Sequence, residues 1–100
     1  MIISIGNKKY DVEIADTPEK REKGLMDITK LPADKGMLFI WDQPQLVEMW
    51  MKDTKIPLDL VFINEDQEVT KVVEGQPDDE TLIGQEDTLF VLEVNAKSGI

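Results

Sequence analysis

The chain has 100 residues, of which 41% are hydrophobic and 32% charged, a composition typical of one folded domain, residues 1–100, rather than two domains or a disordered chain. Acidic residues number 21 against 11 basic ones, and the net charge of -10 disfavours nucleic acid and anionic membrane surfaces as partners. The absence of cysteine and histidine excludes disulfides, thiolate nucleophiles, Ser-His-Asp triads and histidine-based metal sites.

The N-terminal quarter predicts a hairpin followed by a short helix. Two isoleucines at residues 3–5 precede a Gly-Asn turn, and residues 8–14 then alternate between apolar and polar positions as a half-buried strand does. Asp16 or Thr17 is suited to cap a helix, because the next residue is a proline, which favours a first helical turn. We expect this helix to end near Gly24.

From residue 36 onwards, short apolar runs alternate with polar turns. Residues 36–41 are apolar on both faces, which is typical of a strand covered on each side. The segment 74–87 is rich in acidic and turn-forming residues, which predicts a loop that crosses the surface and contains no strand. Some six strands and one short N-terminal helix predict a mainly β fold, a small antiparallel sandwich or barrel. The other predicted strands are residues 46–51, after a turn at 42–45, residues 58–63 and 68–73, which form a hairpin, and residues 89–94.

A polar connector between two apolar runs is the strongest candidate for a site. It contains Trp50, Lys52 and Thr54, with Asp59 just beyond it. A cation, a hydroxyl and a carboxylate beside an aromatic ring are the groups that a pocket for a small polar ligand needs. The alternative interpretation is structural, in which Trp50 covers a second small core and the polar groups bond to the local turn.

Two carboxylates and two methionines allow further interpretations. Asp59 and Glu93 each interrupt an apolar strand, so they could act as acid and base on a glycosidic bond or hold a hard cation. Pairing with Lys52, or exposure on an edge strand, would explain them without chemistry. Met49 and Met51 share one strand face and could present two thioethers to Cu(I), although methionine commonly fills gaps in a core.

Ordered sequence blocks cover nearly the whole chain. In order and spacing they resemble the domain of unknown function 192 family, which implies a compact, mainly β domain of jelly-roll or barrel type with one short helix and implies no activity. One departure is the turn at residues 64–67, which lacks the family's usual Asp-Gly. The blocks are Gly-Leu-Met at residues 24–26, Gly-Met-Leu-Phe at 36–39, Trp-Met-Lys at 50–52, Ile-Pro-Leu-Asp at 56–59 and Val-Leu-Glu-Val at 91–94.

We therefore expect a monomeric protein, without catalytic activity of its own, that binds a small polar ligand or a protein partner in a groove. We expect no cofactor, no metal, no nucleic acid and no membrane partner. The alternatives are a carboxylate-based hydrolase acting on a carbohydrate and a purely structural or accessory protein. The sequence contains neither a signal peptide nor a transmembrane span, so we expect a cytoplasmic location for this chain, an expectation that does not extend to relatives that are exported. The predicted groove residues are Trp50, Lys52, Thr54, Asp59 and Glu93.

Overall fold

Six strands and one helix make up the computed structural model, which describes residues 1–100. The strands form one sheet in the order β1-β2-β3-β6-β4-β5, which is not closed into a barrel. This confirms the predicted mainly β fold with one short helix near the N terminus. The elements are β1 (Ile2–Ile5), β2 (Lys8–Ala15), α1 (Pro18–Lys23), β3 (Lys35–Met49), β4 (Leu58–Ile63), β5 (Val69–Gly75) and β6 (Ile83–Asn95).

The sheet is mixed, whereas the sequence predicted antiparallel pairing throughout. Strands β2 and β3 are parallel, with Asp11 opposite Lys35 and Ala15 opposite Phe39. The other neighbouring strands are antiparallel. The reason is the connection between β2 and β3: a helix and a loop carry the chain back along the sheet, so β3 starts beside β2 and runs in the same direction.

The predicted turn at residues 42–45 is wrong, because β3 continues through it to Met49. The pairing with β6 shifts register between Ile40 and Gln45 and again between Gln45 and Val47. Such irregularities bend a strand without ending it. They also accommodate Pro44, which has no backbone N–H to donate to a ladder. What the polar residues mark is therefore a bent and bulged segment of one long strand.

The sequence predicted that the last strand begins at Leu89, but in the structure it begins at Ile83. Its first half is polar, because Gln85 and Gly84 pair with the far end of β3 at Val47 and Glu48. Side chains in this part of the sheet are mainly exposed or half-buried. An edge of a sheet that faces water has no need for apolar alternation, so the sequence carried no strand signal there.

Both faces of the sheet are apolar, and strand alternation divides the core between them. One cluster lies on the side of α1, which we call the helix face; it includes Phe39, Leu60, Phe62 and Val91. The second cluster lies on the opposite face and includes Val61 and five other buried side chains. Because successive residues point to opposite faces, Leu60 and Val61 belong to different clusters.

Helix α1 forms where the sequence predicted it. The Thr17 side chain accepts a hydrogen bond from the Lys20 backbone N–H at 3.2 Å, and Pro18 occupies the first turn. The helix ends at Gly24, whose φ of 48° lies in a region that a residue without Cβ reaches easily. No helix in the structure combines the length and the apolar character that crossing a bilayer would require.

Candidate functional site

A cavity of about 250 Å³ lies on the helix face of the sheet. It is bounded by α1 and the residues after it, by β3, and by the loop that follows β3. This volume lies just below the ~300–1,000 Å³ of typical small-molecule pockets, so the cavity has room only for a ligand at the small end of that class. Its chemically distinctive lining residues are Arg21, Phe39, Trp41, Trp50, Lys52 and Glu93.

Glu93 is the buried carboxyl of this cavity. It sits on β6 between Met37 of β3 and Leu60 of β4, its direct cross-strand neighbours, so its side chain points to the helix face together with two apolar ones. Only 4% of the residue is exposed. No protein group donates a hydrogen bond to its carboxyl oxygens, and because no fully buried side-chain oxygen of the structure lacks a partner, these oxygens keep some access to the cavity.

Burial raises the pKa of the Glu93 carboxyl from 4.5 to about 8, because an apolar environment disfavours the charged form. At pH 7 the group is therefore mostly a neutral carboxylic acid, with one O–H to donate and oxygens that can accept. Desolvation is the one cause of the shift. Arg21 and Lys52 are half-exposed, at the mouth of the cavity, whereas the carboxyl is buried.

Two tryptophans form walls of the cavity, and each has a cation over its ring. The Arg21 guanidinium carbon lies 5.6 Å from the centre of the Trp41 ring, and the Lys52 Nζ lies 5.2 Å from the centre of the Trp50 ring. Phe39 stacks on Trp41 with ring centres 6.3 Å apart. Arg21 also donates from Nη1 to the Ile40 carbonyl at 2.8 Å, which holds the guanidinium in place.

The other charged groups around the cavity come from α1 and β3. Glu22 and Lys23 belong to α1, and Glu48 belongs to β3; all three are exposed. Gly24 lets the end of α1 approach the cavity closely, since a Cβ at this position would lie 3.1 Å from the Phe39 ring. A side chain at residue 24 would therefore meet the ring that supports Trp41.

The loop after β3 is held by its own turn and by the acidic segment before β6. The Thr54 hydroxyl donates to the Lys52 carbonyl at 3.2 Å, as in the turn chemistry considered from the sequence. The Met51 and Asp78 backbone N–H groups join the loop to the acidic segment, at 2.9 Å to the Asp79 carbonyl and 3.0 Å to the Thr54 carbonyl. The acidic residues thus support one wall of the site.

Asp59 lies on the other side of the sheet. It pairs with Val94 of β6, whereas Glu93 pairs with Leu60, so the Asp59 and Glu93 side chains point to opposite faces. The Asp59 carboxylate accepts hydrogen bonds from the Ser98 backbone N–H at 2.9 Å and from the Ser98 hydroxyl. Placing Asp59 in the groove was wrong, because strand alternation turns it away. The two carboxylates cannot flank one glycosidic bond.

The structure thus brings together four of the five side chains predicted to line the groove: Trp50, Lys52, Thr54 and Glu93. Sequence reasoning missed Trp41 and Arg21. A second tryptophan at the end of an apolar strand was a usable signal for Trp41. The position of Arg21 depends on how α1 docks on the sheet, which no local pattern shows.

The paired methionines belong to the core. Met49 and Met51 are both buried in the cluster on the helix face. The Met51 sulfur packs against Gly75, where an added Cβ would lie only 2.6 Å from it. This close packing is the gap-filling use of methionine, which was the alternative to a Cu(I) site.

The fold and the cavity define a small, mainly β domain with one short helix over a partly enclosed polar and aromatic site. The chain belongs to the DUF192 family, described as "Uncharacterized ACR", whose model matches residues 1–98. A comparison with curated proteins finds no match.

Two crystal structures are similar to this chain over most of its length. One is a protein of unknown function from Novosphingobium aromaticivorans, with 36% identity and a TM-score of 0.88, covering 93% of this chain and 71% of that one. The other, from Sinorhizobium meliloti, is described as a "putative transcription regulator"; it has 38% identity and a TM-score of 0.88, covering 90% of this chain and 71% of that one. Both support the fold described above.

Proposed function

We propose that this protein binds a small polar molecule in the cavity between Trp41 and Trp50, without catalysing a reaction on it. The observation that carries the proposal is the Glu93 carboxyl, which is 4% exposed, lies among apolar neighbours and receives no hydrogen bond from the protein. The structure has no fully enclosed side-chain oxygen without a partner, so the Glu93 oxygens are reached from the cavity that the residue lines. A ligand group that bonds to this carboxyl would satisfy it.

A second buried carboxylate in the same chain provides the comparison. Asp59 is 7% exposed, and two hydrogen bonds from Ser98 satisfy it. The chain thus contains one buried carboxyl group, Asp59, that is hydrogen-bonded within the fold, and another, Glu93, whose oxygens face the cavity. Strongly perturbed groups that face a cavity mark functional sites more often than chance.

The cavity also favours binding over catalysis and a small molecule over a large partner. A hydrolase of the two-carboxylate type needs a second acid near Glu93, and Asp59 lies on the opposite face. The volume of about 250 Å³ suits a small molecule or a single inserted side chain. The description of the Sinorhizobium relative as a regulator does not extend to DNA binding here, since a net charge of -10 repels phosphate.

The two tryptophans allow ligand binding to be detected through their own signals, without a probe attached to the site. They are the only two in the chain and both line the cavity, so their indole N–H signals in a proton–nitrogen NMR spectrum report on its occupation. We would titrate small polyols, amides and hydroxy acids into the protein. The proposal predicts that a binder shifts both indole signals.

Three variants identify the role of Glu93. Glu93→Gln keeps one donor and one acceptor and should retain binding, whereas Glu93→Leu removes both and should weaken it by about tenfold or more. Glu65→Gln removes an exposed acid from the turn between β4 and β5, outside the cavity, and should bind as the wild type does. Binding that moves neither indole signal, or that is equally strong in Glu93→Leu, would contradict the proposal.

A further inference from the structure

Two basic side chains of the cavity lie over tryptophan rings and form no ion pair. Only three of the 11 lysines and arginines of the chain form an ion pair, so their position at the cavity is what distinguishes these two. The ion pairs of the structure involve the N terminus, Lys35, Lys55 and Lys97. Arg21 and Lys52 take part in none of them, although both are only half-exposed.

Both cations are held in position with donors to spare. Arg21 uses one N–H for the Ile40 carbonyl, and its guanidinium has five in total. Lys52 lies over Trp50, and no protein oxygen accepts a hydrogen bond from its Nζ. Guanidinium and ammonium groups with free donors bind carboxylates through charge-assisted hydrogen bonds. Together with Lys23, these two cations outnumber the exposed acids Glu22 and Glu48 among the lining residues, which gives the mouth of the cavity the chemistry of an anion site.

The floor of the cavity requires a different group. Glu93 presents an uncharged carboxyl, which matches a hydroxyl or a carbonyl oxygen better than an ionised group. Arg21 and Lys52 are half-exposed, whereas Glu93 is 4% exposed, so the two cations lie nearer to solvent than the carboxyl does. A ligand that satisfies both regions must have two different polar ends.

We infer that the ligand is a small organic acid whose carboxylate binds Arg21 and Lys52 at the mouth of the cavity, while a hydroxyl or carbonyl oxygen at its other end bonds to Glu93. The inference rests on the proposed function and narrows it to one class of ligand. The aromatic rings of Trp41 and Trp50 confine the carbon chain between the two ends. Neutral polyols and cations are thereby disfavoured.

The first part of the test measures the local electrostatic field. Quenching of tryptophan fluorescence by iodide and by caesium is compared, each relative to the free indole compound N-acetyltryptophanamide. A cation about 5 Å from each ring should raise the relative iodide quenching about twofold or more over that of caesium. If the net charge of -10 dominates instead, caesium will quench more strongly, and the inference is overturned.

Variants assign that preference to the two cations. Arg21→Gln and Lys52→Gln should each lower the ratio of iodide to caesium quenching. Lys97→Gln removes an equal charge from an exposed lysine whose side chain is 83% accessible and lies outside the cavity, and it should leave the ratio unchanged. Equal effects of all three substitutions would show a field set by total charge, and would overturn the inference.

The second part of the test separates this inference from the proposed function. Hydroxy acids of two to five carbons are titrated beside their amides, which differ only in the charged end, with the two indole N–H signals as the readout. At least one acid should bind about tenfold more tightly than its amide, and the advantage should disappear in the Arg21→Gln/Lys52→Gln double variant. Amides that bind as tightly as the acids would overturn the inference and leave the proposed function standing. If neither series moves the indole signals, both fail.

Discussion

Replacing Glu93 with glutamine should change how the stability of this protein depends on pH. Glutamine has nearly the shape of a protonated glutamate but cannot ionise. In the wild type, burial raises the pKa of the Glu93 carboxyl from 4.5 to about 8. A change of this size corresponds to about 5 kcal/mol, a large fraction of the ~5–15 kcal/mol that stabilises a typical domain.

The sign of the effect follows from proton binding in the two states. Below pH 4.5 the folded and unfolded chains both hold the Glu93 proton, so the carboxyl causes no pH dependence. Between pH 4.5 and about 8 the unfolded chain releases the proton and the folded chain keeps it, so rising pH favours unfolding. Above about pH 8 both states are ionised and the loss of stability is complete.

Urea denaturation at several pH values measures this loss. Relative to Glu93→Gln, the free energy of unfolding of the wild type should fall by about 1.4 kcal/mol per pH unit across this range, reaching about 3 kcal/mol at pH 7. Glu48→Gln removes an exposed acid from the same cavity and should follow the wild-type curve. A difference between wild type and Glu93→Gln that is the same at pH 5 and pH 8 would refute the reasoning.

Three further substitutions test how the fold is held, each by urea denaturation. Asp59→Ala leaves Ser98 without its acceptor and should cost about 1–3 kcal/mol while leaving fluorescence quenching at the cavity unchanged; altered quenching would contradict its placement on the opposite face. Gly36→Ala puts a Cβ 2.6 Å from the Glu93 carbonyl oxygen and should cost ~1–3 kcal/mol, whereas Gly84→Ala, with no contact under 3.6 Å, should cost ~1 kcal/mol or less. Equal losses of stability in Gly36→Ala and Gly84→Ala would contradict this prediction, because they would show that the backbone at residue 36 moves to accommodate the added Cβ. Thr17→Ala removes the cap of α1 and should cost ~1 kcal/mol, which Thr17→Ser should largely restore.

Local sequence patterns predicted the elements of the fold better than their pairing. Alternation and turn residues identified β2, α1, β4 and β5 at nearly their observed positions. The parallel pairing of β2 and β3 depends on where the helix and the loop after it pack, which is a tertiary effect. The sequence did not predict the first half of β6, because a strand that faces water needs no apolar residues.

The candidate site shows the same division between local and tertiary information. Asp59 and Glu93 look alike in the sequence, since each is an acid within an apolar strand. In the pairing of β4 with β6, Asp59 lies opposite Val94, one position away from Glu93, so the two acids point to opposite faces of the sheet. Whether each acid is satisfied depends on a distant residue: Ser98, which is 39 positions from Asp59, bonds to that carboxylate, and no residue does so for Glu93. Sequence reasoning could identify both acids but not separate their roles.

Binding of an organic acid as proposed requires an uncharged Glu93 carboxyl in the cavity, and the chemical shift of the Glu93 side-chain carboxyl carbon measures its protonation directly. The resonance is assigned by its absence from Glu93→Gln and followed by carbon NMR from pH 3 to pH 10. We expect a titration midpoint near pH 8 in the wild-type protein. A midpoint close to the ordinary value of 4.5 would contradict the account, because an ionised carboxylate at pH 7 would repel the acid that we propose as ligand.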